Sequence, residues 1–385
     1  MRAALDTLFA VALVAAIAPL LVDLLPGPRL PQVVVLLAGG AVIGPQALGV
    51  GDPGSIDLLS NLGLGFLFLL TGYELDLRLF RERRGRLAIA GWLVSVVLAA
   101  GLIGVLKFVG EVQAVVPLSL ALATTALGTL LPILRDHGLL DGPFGRNVVA
   151  AGAVGELFPV IAIAVFLGAS TEFTALLSLT GLGVLGMLLS LLPRVVRGNR
   201  LGGIIAAGQH ATSQTLLRWT MVLLLLLLVV ATDAGLDAVL GAFMAGIVLR
   251  RWAPADAPAL ADKLDALGYG FFIPIFFISS GMTLDLRAIA AAPARVVVFV
   301  LLLLAVRGLP SMLVYRTELP RRERVQMTLV TATSLPLLVA LATIGLRNGT
   351  VRSDNAAALV GAGAISVLLF PTIAVALARR PVPPA

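Results

Sequence analysis

The chain has 385 residues, of which 59% are hydrophobic and 13% charged, with a formal net charge of +7 and no cysteine. Soluble domains carry roughly 25% charged residues, so this composition excludes a soluble globular protein and predicts a polytopic membrane protein. The absence of cysteine excludes disulfides and thiolate metal sites. The two histidines, His137 and His210, lie between apolar runs, so we expect no histidine metal site, no haem and no cofactor.

Apolar segments of roughly 17–25 residues, the length that crosses a bilayer, follow one another along the chain. They predict an all-α polytopic membrane protein with about 13 transmembrane helices surrounded by lipid. The segments are 7–25, 31–49, 57–75, 87–109, 114–134, 147–168, 173–193, 216–233, 235–250, 266–283, 293–315, 325–346 and 357–378.

The basic residues are distributed unequally between the two sides of these segments, with twenty on one side and six on the other. The positive-inside rule then predicts an N-terminus outside and a cytoplasmic C-terminus. Lysine occurs only at Lys107 and Lys263, and arginine is far more common, a bias typical of a GC-rich bacterial genome. We therefore expect a bacterial inner (cytoplasmic) membrane protein. Topology accounts for the basic loops, so we expect no nucleic-acid partner.

Glu156 lies in the middle of the apolar run from Val148 to Gly168, whereas the other acidic residues fall near the ends of runs or between them. A charge at the bilayer centre costs about 2.5–3.5 kcal/mol on insertion scales, so such a residue marks a substrate, ion or proton site. Arg307 is the basic residue that lies well inside a predicted span. It needs a buried partner unless its side chain snorkels to the headgroups.

The sequence also contains an internal repeat. The matching stretches are 72–78 with 281–287, 152–159 with 363–371, and 134–138 with 346–349. The members of each pair are seven predicted spans apart, and seven is odd, so the copies have opposite orientations in the membrane. Inverted-topology repeats are typical of secondary transporters, whose binding site lies at the midplane between the repeats.

Two predicted spans related by this repeat, the fifth and the twelfth, carry hydroxyl residues at corresponding places. These residues are Thr124 and Thr125 in the fifth span, and Thr333 and Ser334 ahead of Pro336 in the twelfth. Proline removes a backbone donor and disfavours helix in the preceding residue. The hydroxyls either bond back to carbonyls of their own helices or replace part of an ion's hydration shell at a break. Their presence in two related spans favours broken helices that cross at the midplane.

Three specific stretches, 71–78, 240–249 and 267–282, resemble the monovalent cation:proton antiporters of the Kef and sodium/proton exchanger type. The resemblance covers about residues 6 to 378. It implies a sodium/proton antiporter-like fold, a homodimer, and a single transmembrane domain across 1–385 without a soluble regulatory domain. The implied parts are a dimerisation panel at approximately 7–75 and 216–283, a core at 87–168 and 293–378, and a bridging helix at 173–193.

In that family the sixth span usually carries Asp-Asp or Asn-Asp, and the second residue binds the ion or proton. Gly155 and Glu156 occupy those positions here, and Arg307 corresponds to a lysine often found in the eleventh span. The resemblance implies exchange of H+ for Na+ or K+ by alternating access, with Glu156 binding the monovalent metal cation and the proton in competition. The remaining candidates are Thr124 and Thr125 as further ligands, and Gly155, Arg307, Thr333, Ser334 and Pro336 as supporting residues.

Two alternatives stay open at this point. One is a degenerate, non-transporting membrane protein that acts as a sensor or partner subunit. The other is a carrier of organic anions on the same scaffold, with Arg307 as the partner of the anion. An intramembrane hydrolase would need a nucleophile beside a base, and no predicted span contains histidine, so we do not expect an enzyme.

Overall fold

The computed structural model describes residues 2–24, 31–75, 77–112, 115–166, 172–196, 214–252, 258–284, 286–291 and 293–378. His210 lies outside these ranges, as do Asp76 and Asp285 of the first repeat pair. Five of the twenty basic residues counted on the predicted cytoplasmic side also lie outside them: Arg29, Arg197, Arg200, Arg379 and Arg380.

Every regular element of these described ranges is helical. The first eight helices are α1 (Arg2–Leu24), α2 (Gln32–Ile43), α3 (Asp57–Glu74), α4 (Arg83–Phe108), α5 (Val115–Leu122), α6 (Leu127–Asp136), α7 (Gly142–Phe166) and α8 (Glu172–Val196). The next five are α9 (Thr215–Asp233), α10 (Ala238–Trp252), α11 (Pro258–Leu267), α12 (Ile273–Met282) and α13 (Leu286–Ala291). The last five are α14 (Pro293–Leu303), α15 (Leu309–Val314), α16 (Arg321–Ala332), α17 (Pro336–Arg347) and α18 (Ser353–Ala378).

Five short 3-10 or π-helical turns of the described ranges lie between these helices. The 3-10 turns are Pro53–Ile56, Leu77–Arg81 and Tyr315–Thr317, and the π-helical turns are Gly268–Phe272 and Leu304–Gly308. The π-helical turns continue α11 into α12 and α14 into α15, respectively.

Nine segments of the described chain are helical, long and apolar enough to cross a membrane. Lipid offers no hydrogen-bond partner to the backbone, so a spanning segment must satisfy its own amides, as a helix does. The all-α, multi-pass membrane fold is therefore confirmed. The count of thirteen spans stays a prediction, because several predicted spans fall on shorter apolar helices such as Gln32–Ile43.

The chain divides into two compact units. The first unit consists of Met1–Ser55, Asp76–Pro159 and Ile278–Ala385, and the second of Ile56–Leu75 and Val160–Phe277. All candidate site residues fall within the first unit. The division into a dimerisation panel, a core and a bridging helix stays a prediction.

In the second unit, α3 and α10 pack with their backbones in close approach. A Cβ atom at Gly72 would lie 2.2 Å from the carbonyl oxygen of Phe243, so only glycine permits this contact. Arg250 of α10 donates to the carbonyl oxygens of Tyr73 at 3.0 Å and Glu74 at 2.7 Å. These bonds satisfy carbonyls that the end of α3 would otherwise leave without an intrahelical donor.

In the first unit, ion pairs join segments that are distant in sequence. Arg295 near the start of α14 donates to Asp354 at 2.6 Å and to Glu111 at 3.3 Å. Asp354, at the start of α18, also pairs with Arg352 at 2.8 Å. The loop between α4 and α5 is thereby tied to the first turns of α14 and α18.

The first unit also contains two interrupted helices, as the repeat predicts. One break separates α5 from α6, and the other separates α16 from α17. Pro336 stands at the first position of α17, where its missing N–H removes no intrahelical bond. The prediction of two broken helices is confirmed, and their assignment to a core domain stays a prediction.

Candidate functional site

The two helix breaks, residues 124–126 and 333–335, lie against each other. The backbone N–H of Ala126 donates to the carbonyl oxygen of Thr333 at 2.9 Å. A non-helical backbone is tolerated at membrane depth only when the protein satisfies its polar groups. The crossing of the breaks does this for part of each segment.

Hydroxyl groups link the same two segments. Thr125 Oγ1 donates to the carbonyl oxygen of Thr331 at 2.6 Å. Thr124 Oγ1 and Ser334 Oγ form a short hydrogen bond across the crossing. All four residues are buried. Three of the predicted hydroxyl residues, Thr124, Thr125 and Ser334, therefore form side-chain hydrogen bonds between the two segments.

Each break is also covered by an uninterrupted helix of its own repeat. On one side, the N–H of Thr125 donates to the carbonyl oxygen of Gly155 in α7 at 3.1 Å. On the other, the N–H of Ser334 donates to Ser366 Oγ in α18 at 3.1 Å. The Ser366 hydroxyl has carbonyl acceptors at Ser334 (3.1 Å) and Gly363 (2.7 Å). A backbone N–H of each break is thus satisfied by the covering helix, by a backbone oxygen in one half of the site and by a side-chain oxygen in the other.

The repeat alignment of 152–159 with 363–371 explains this pairing. It places Gly155 opposite Ser366 and Glu156 opposite Val367. Both members of the first pair accept a hydrogen bond from a helix break, whereas a carboxylate is present in only one copy of the repeat. The site is therefore symmetric in its backbone bonding and asymmetric in its charge.

Glu156 is partly exposed on α7, with Oε1 3.3 Å from the backbone N–H of Gly128. Gly128 follows Leu127, the first residue of α6. The N-terminal end of a helix has unsatisfied N–H groups and a partial positive charge, both of which favour an anion. The Glu156 carboxylate therefore faces the start of the second half of a broken helix.

The Arg307 side chain is 3% exposed. Its guanidinium donates to Thr125 Oγ1 from Nε at 3.0 Å and Nη2 at 2.7 Å, and to the carbonyl oxygen of Ala151 at 3.3 Å. Arg307 lies within the π-helical turn Leu304–Gly308. Such turns occur frequently at functional sites. The guanidinium binds inside the unit, beside the helix crossing, and the snorkelling alternative does not explain this placement.

Gly155 leaves the space that this arrangement needs. A Cβ atom at this position would lie 2.7 Å from Thr125 Cβ, 2.8 Å from Thr125 Oγ1 and 2.8 Å from Arg307 Nη2. Such distances are too short for a real Cβ, so a side chain at Gly155 would displace Thr125 or Arg307. The glycine that the sequence shows in place of a polar residue is sterically required here.

Thr333 contributes to the crossing through its backbone, since its hydroxyl bonds back to the carbonyl oxygen of Leu329 at 3.0 Å. Three further residues of the site were missed from sequence. Gly128 and Ala151 act through backbone atoms, which residue type does not reveal. Ser366 aligns with Gly155 in the repeat, and that alignment could have identified it.

The arrangement contains few acidic groups. Within the described ranges, no three or more His, Cys, Asp or Glu side chains lie close enough to hold a metal ion. A cation at the crossing would thus rely on one carboxylate, with hydroxyl and carbonyl oxygens as neutral ligands. This chemistry suits a singly charged ion or a proton better than a strongly held divalent metal.

A family model described as the transmembrane part of sodium/hydrogen exchangers matches residues 10–380. The chain is 26% identical over 366 residues to YjbQ of Bacillus subtilis, covering 89% of this chain and 58% of that protein. It is 30% identical over 296 residues to cation/H+ antiporter 17 of Arabidopsis thaliana, covering 71% of this chain and 36% of that protein. It is 27% identical over 308 residues to the glutathione-regulated potassium-efflux system protein KefC of Escherichia coli, covering 77% of this chain and 48% of that protein.

The chain therefore spans less than two thirds of the length of each of these relatives. Among solved structures, the sodium proton antiporter MjNhaP1 of Methanocaldococcus jannaschii has a similar fold, with a TM-score of 0.67 at 16% identity and coverage of 97% of both chains. At this identity the likeness bears on the fold alone.

Proposed function

The chain belongs to the sodium/hydrogen exchanger family, and from that membership we propose that it exchanges protons for Na+ or K+ by alternating access. The observation that carries the proposal is the position of Glu156. Its carboxylate lies 3.3 Å from the N–H of Gly128, at the start of the second half of a broken helix. Broken helices that cross at the midplane form the ion sites of secondary transporters.

Glu156 carries out the exchange because one carboxylate binds either a proton or a cation, and the two compete. The cation would take further oxygen ligands from the crossing, where Thr124 and Ser334 place hydroxyl groups. Carbonyl oxygens of unwound segments are the usual partners of Na+ in such sites. Release of the cation to one side and of the proton to the other completes a cycle.

Arg307 supplies a fixed positive charge beside the site. A guanidinium does not release its proton under physiological conditions. Arg307 therefore balances the negative charge of the Glu156 carboxylate without carrying a proton across the membrane. Thr125 anchors it through two hydrogen bonds, and Gly155 leaves the room that Thr125 and Arg307 need. Pro336 and Thr333 shape the second break.

The cellular setting is part of the same proposal. The excess of basic residues on one side of the predicted spans favours a bacterial inner membrane with the N-terminus outside and the C-terminus in the cytoplasm. The resemblance supports a homodimer embedded in lipid, with H+ and Na+ or K+ as the transported partners. It describes a transporter rather than an enzyme.

Transport in inverted membrane vesicles tests this function. Respiration acidifies the vesicle interior, a pH-sensitive dye reports the gradient, and NaCl, KCl or choline chloride is then added. We expect Na+ or K+, but not choline, to dissipate the gradient, with vesicles lacking the protein as the control. No response to any alkali cation would favour the non-transporting alternative. A response that requires an added organic anion would favour the anion carrier.

A further inference from the structure

The π-helical turn that carries Arg307 is held by hydroxyl groups. The carbonyl oxygen of Arg307 lies 3.1 Å from Thr331 Oγ1 and 3.1 Å from Ser311 Oγ. The next carbonyl, that of Gly308, lies 3.2 Å from Thr328 Oγ1. Thr328 and Thr331 belong to α16, so the turn is attached to the first half of a broken helix.

These contacts close a ring of hydrogen bonds through three segments. The Arg307 guanidinium donates to Thr125 Oγ1, and Thr125 Oγ1 donates to the carbonyl oxygen of Thr331. The hydroxyl of Thr331 is in turn within bonding distance of the carbonyl oxygen of Arg307. The ring is buried, and a shift of any one segment relative to the other two must break one of its bonds.

Two hydroxyl groups, those of Thr331 and Ser311, donate to the carbonyl oxygen of Arg307. Thr331 has one hydroxyl proton, which is shared between the carbonyl oxygens of Met327 at 2.8 Å and Arg307 at 3.1 Å. Ser311 supplies a second proton and lies 2.9 Å from Thr331 Oγ1. Ser311 donates to the Arg307 carbonyl from the same helix, whereas Thr331 links that carbonyl to α16. Loss of the Thr331 hydroxyl therefore opens the ring, and loss of both hydroxyls also leaves the carbonyl without a side-chain donor.

We propose that Thr331 and Ser311 are positioning residues of the exchange site, which fix the π-helical turn and thereby aim the Arg307 guanidinium at the crossing. This role rests on the proposed function. The two residues act through Arg307 and bind neither the cation nor the proton. Their bonds also tie the orientation of Arg307 to α16, whose break forms half of the crossing.

The test compares hydroxyl removal with hydroxyl retention in the full-length protein. The variants are Thr331→Val, Thr331→Ser, Ser311→Ala and the double variant Thr331→Val/Ser311→Ala. Thr343→Val is the matched control, since among the described residues that hydroxyl bonds only the carbonyl oxygen of Val339 in its own helix α17. Arg307→Lys serves as the reference for a displaced charge. Exchange is measured in proteoliposomes as a function of pH and of Na+ and K+ concentration.

We expect the double variant to lose about tenfold in maximal rate, because the charge of Arg307 would be misplaced at the exchange site. The pH midpoint of exchange should move in the same direction as in Arg307→Lys. Thr331→Ser and Thr343→Val should match the wild type. If the double variant does not fold, the comparison of Thr331→Val with Thr331→Ser carries the test.

A pH profile of the double variant, or of Thr331→Val in its place, that coincides with the wild type would overturn the positioning role. So would a Thr331→Ser variant as impaired as Thr331→Val, because shape and not the hydroxyl would then matter. A wild-type protein that exchanges no alkali cation would instead refute the proposed function, and the positioning role with it.

Discussion

Arg307 and Thr125 form a two-point contact, in which guanidinium nitrogens Nε and Nη2 both donate to the threonine Oγ1, at 3.0 and 2.7 Å. The same hydroxyl donates its proton to the carbonyl oxygen of Thr331. A hydroxyl oxygen has two lone pairs and one proton, so all its bonding capacity is used. In this arrangement Thr125 anchors Arg307, and we propose Thr124 and Ser334 as the neutral ligands of the cation. The ligand role predicted for Thr125 stays a prediction.

The space at Gly155 provides the first prediction. Gly155→Ala should push Thr125 or Arg307 out of place, destabilise the protein by about 1–3 kcal/mol and lower the exchange rate by about tenfold or more. Thermal unfolding in detergent and transport in proteoliposomes measure the two effects. Gly104→Ala in α4 is the control, because a Cβ there meets no atom of the described residues within 4 Å. Equal behaviour of both variants would show that Gly155 is not sterically constrained.

Ser366 provides the second prediction. Ser366→Ala removes the oxygen that accepts the N–H of Ser334 at 3.1 Å. A buried donor without a partner costs about 1–3 kcal/mol, so this variant should unfold at a lower temperature. Ser95→Ala is the matched control, since Ser95 is equally buried and, within the described part of the chain, its hydroxyl bonds only the carbonyl oxygen of Gly91 in its own helix. If both variants unfold alike, Ser366 does not support the break.

Several features could be predicted from sequence because they follow from local chemistry. The apolar runs predicted the helical membrane fold, and the repeat together with Pro336 predicted the broken helices. An acid in the middle of an apolar run predicted a site around Glu156, and the exchange role of Glu156 stays a prediction. The partner of Arg307 could not be predicted, because a hydroxyl and a carbonyl from other helices satisfy it. The sequence shows Gly155 where the family usually has a polar residue. The steric requirement for glycine depends on Thr125 and Arg307, which the packing of other helices brings against it.

The third prediction concerns charge balance. One carboxylate carries one proton or one monovalent cation, and Arg307 keeps its proton throughout, so exchange should be electroneutral. In proteoliposomes without a pH gradient, an ionophore-set potential of ~100 mV should drive no cation accumulation, although it offers about 2.3 kcal/mol per net charge. A pH gradient of about 1.7 units carries the same free energy and should drive accumulation. Voltage-driven accumulation would mean that more than one proton moves per cation.

The removal of the carboxylate at Glu156 tests the central claim most directly. Glu156→Gln keeps the size and polarity of the side chain but cannot bind a proton in exchange for a cation. Asp233→Asn is the control, because Asp233 is exposed at the end of α9. With both variants inserted and purified at wild-type levels, we expect Glu156→Gln to abolish cation-dependent collapse of the proton gradient and Asp233→Asn to preserve it. Wild-type exchange by Glu156→Gln would contradict the assignment of Glu156 as the exchange site.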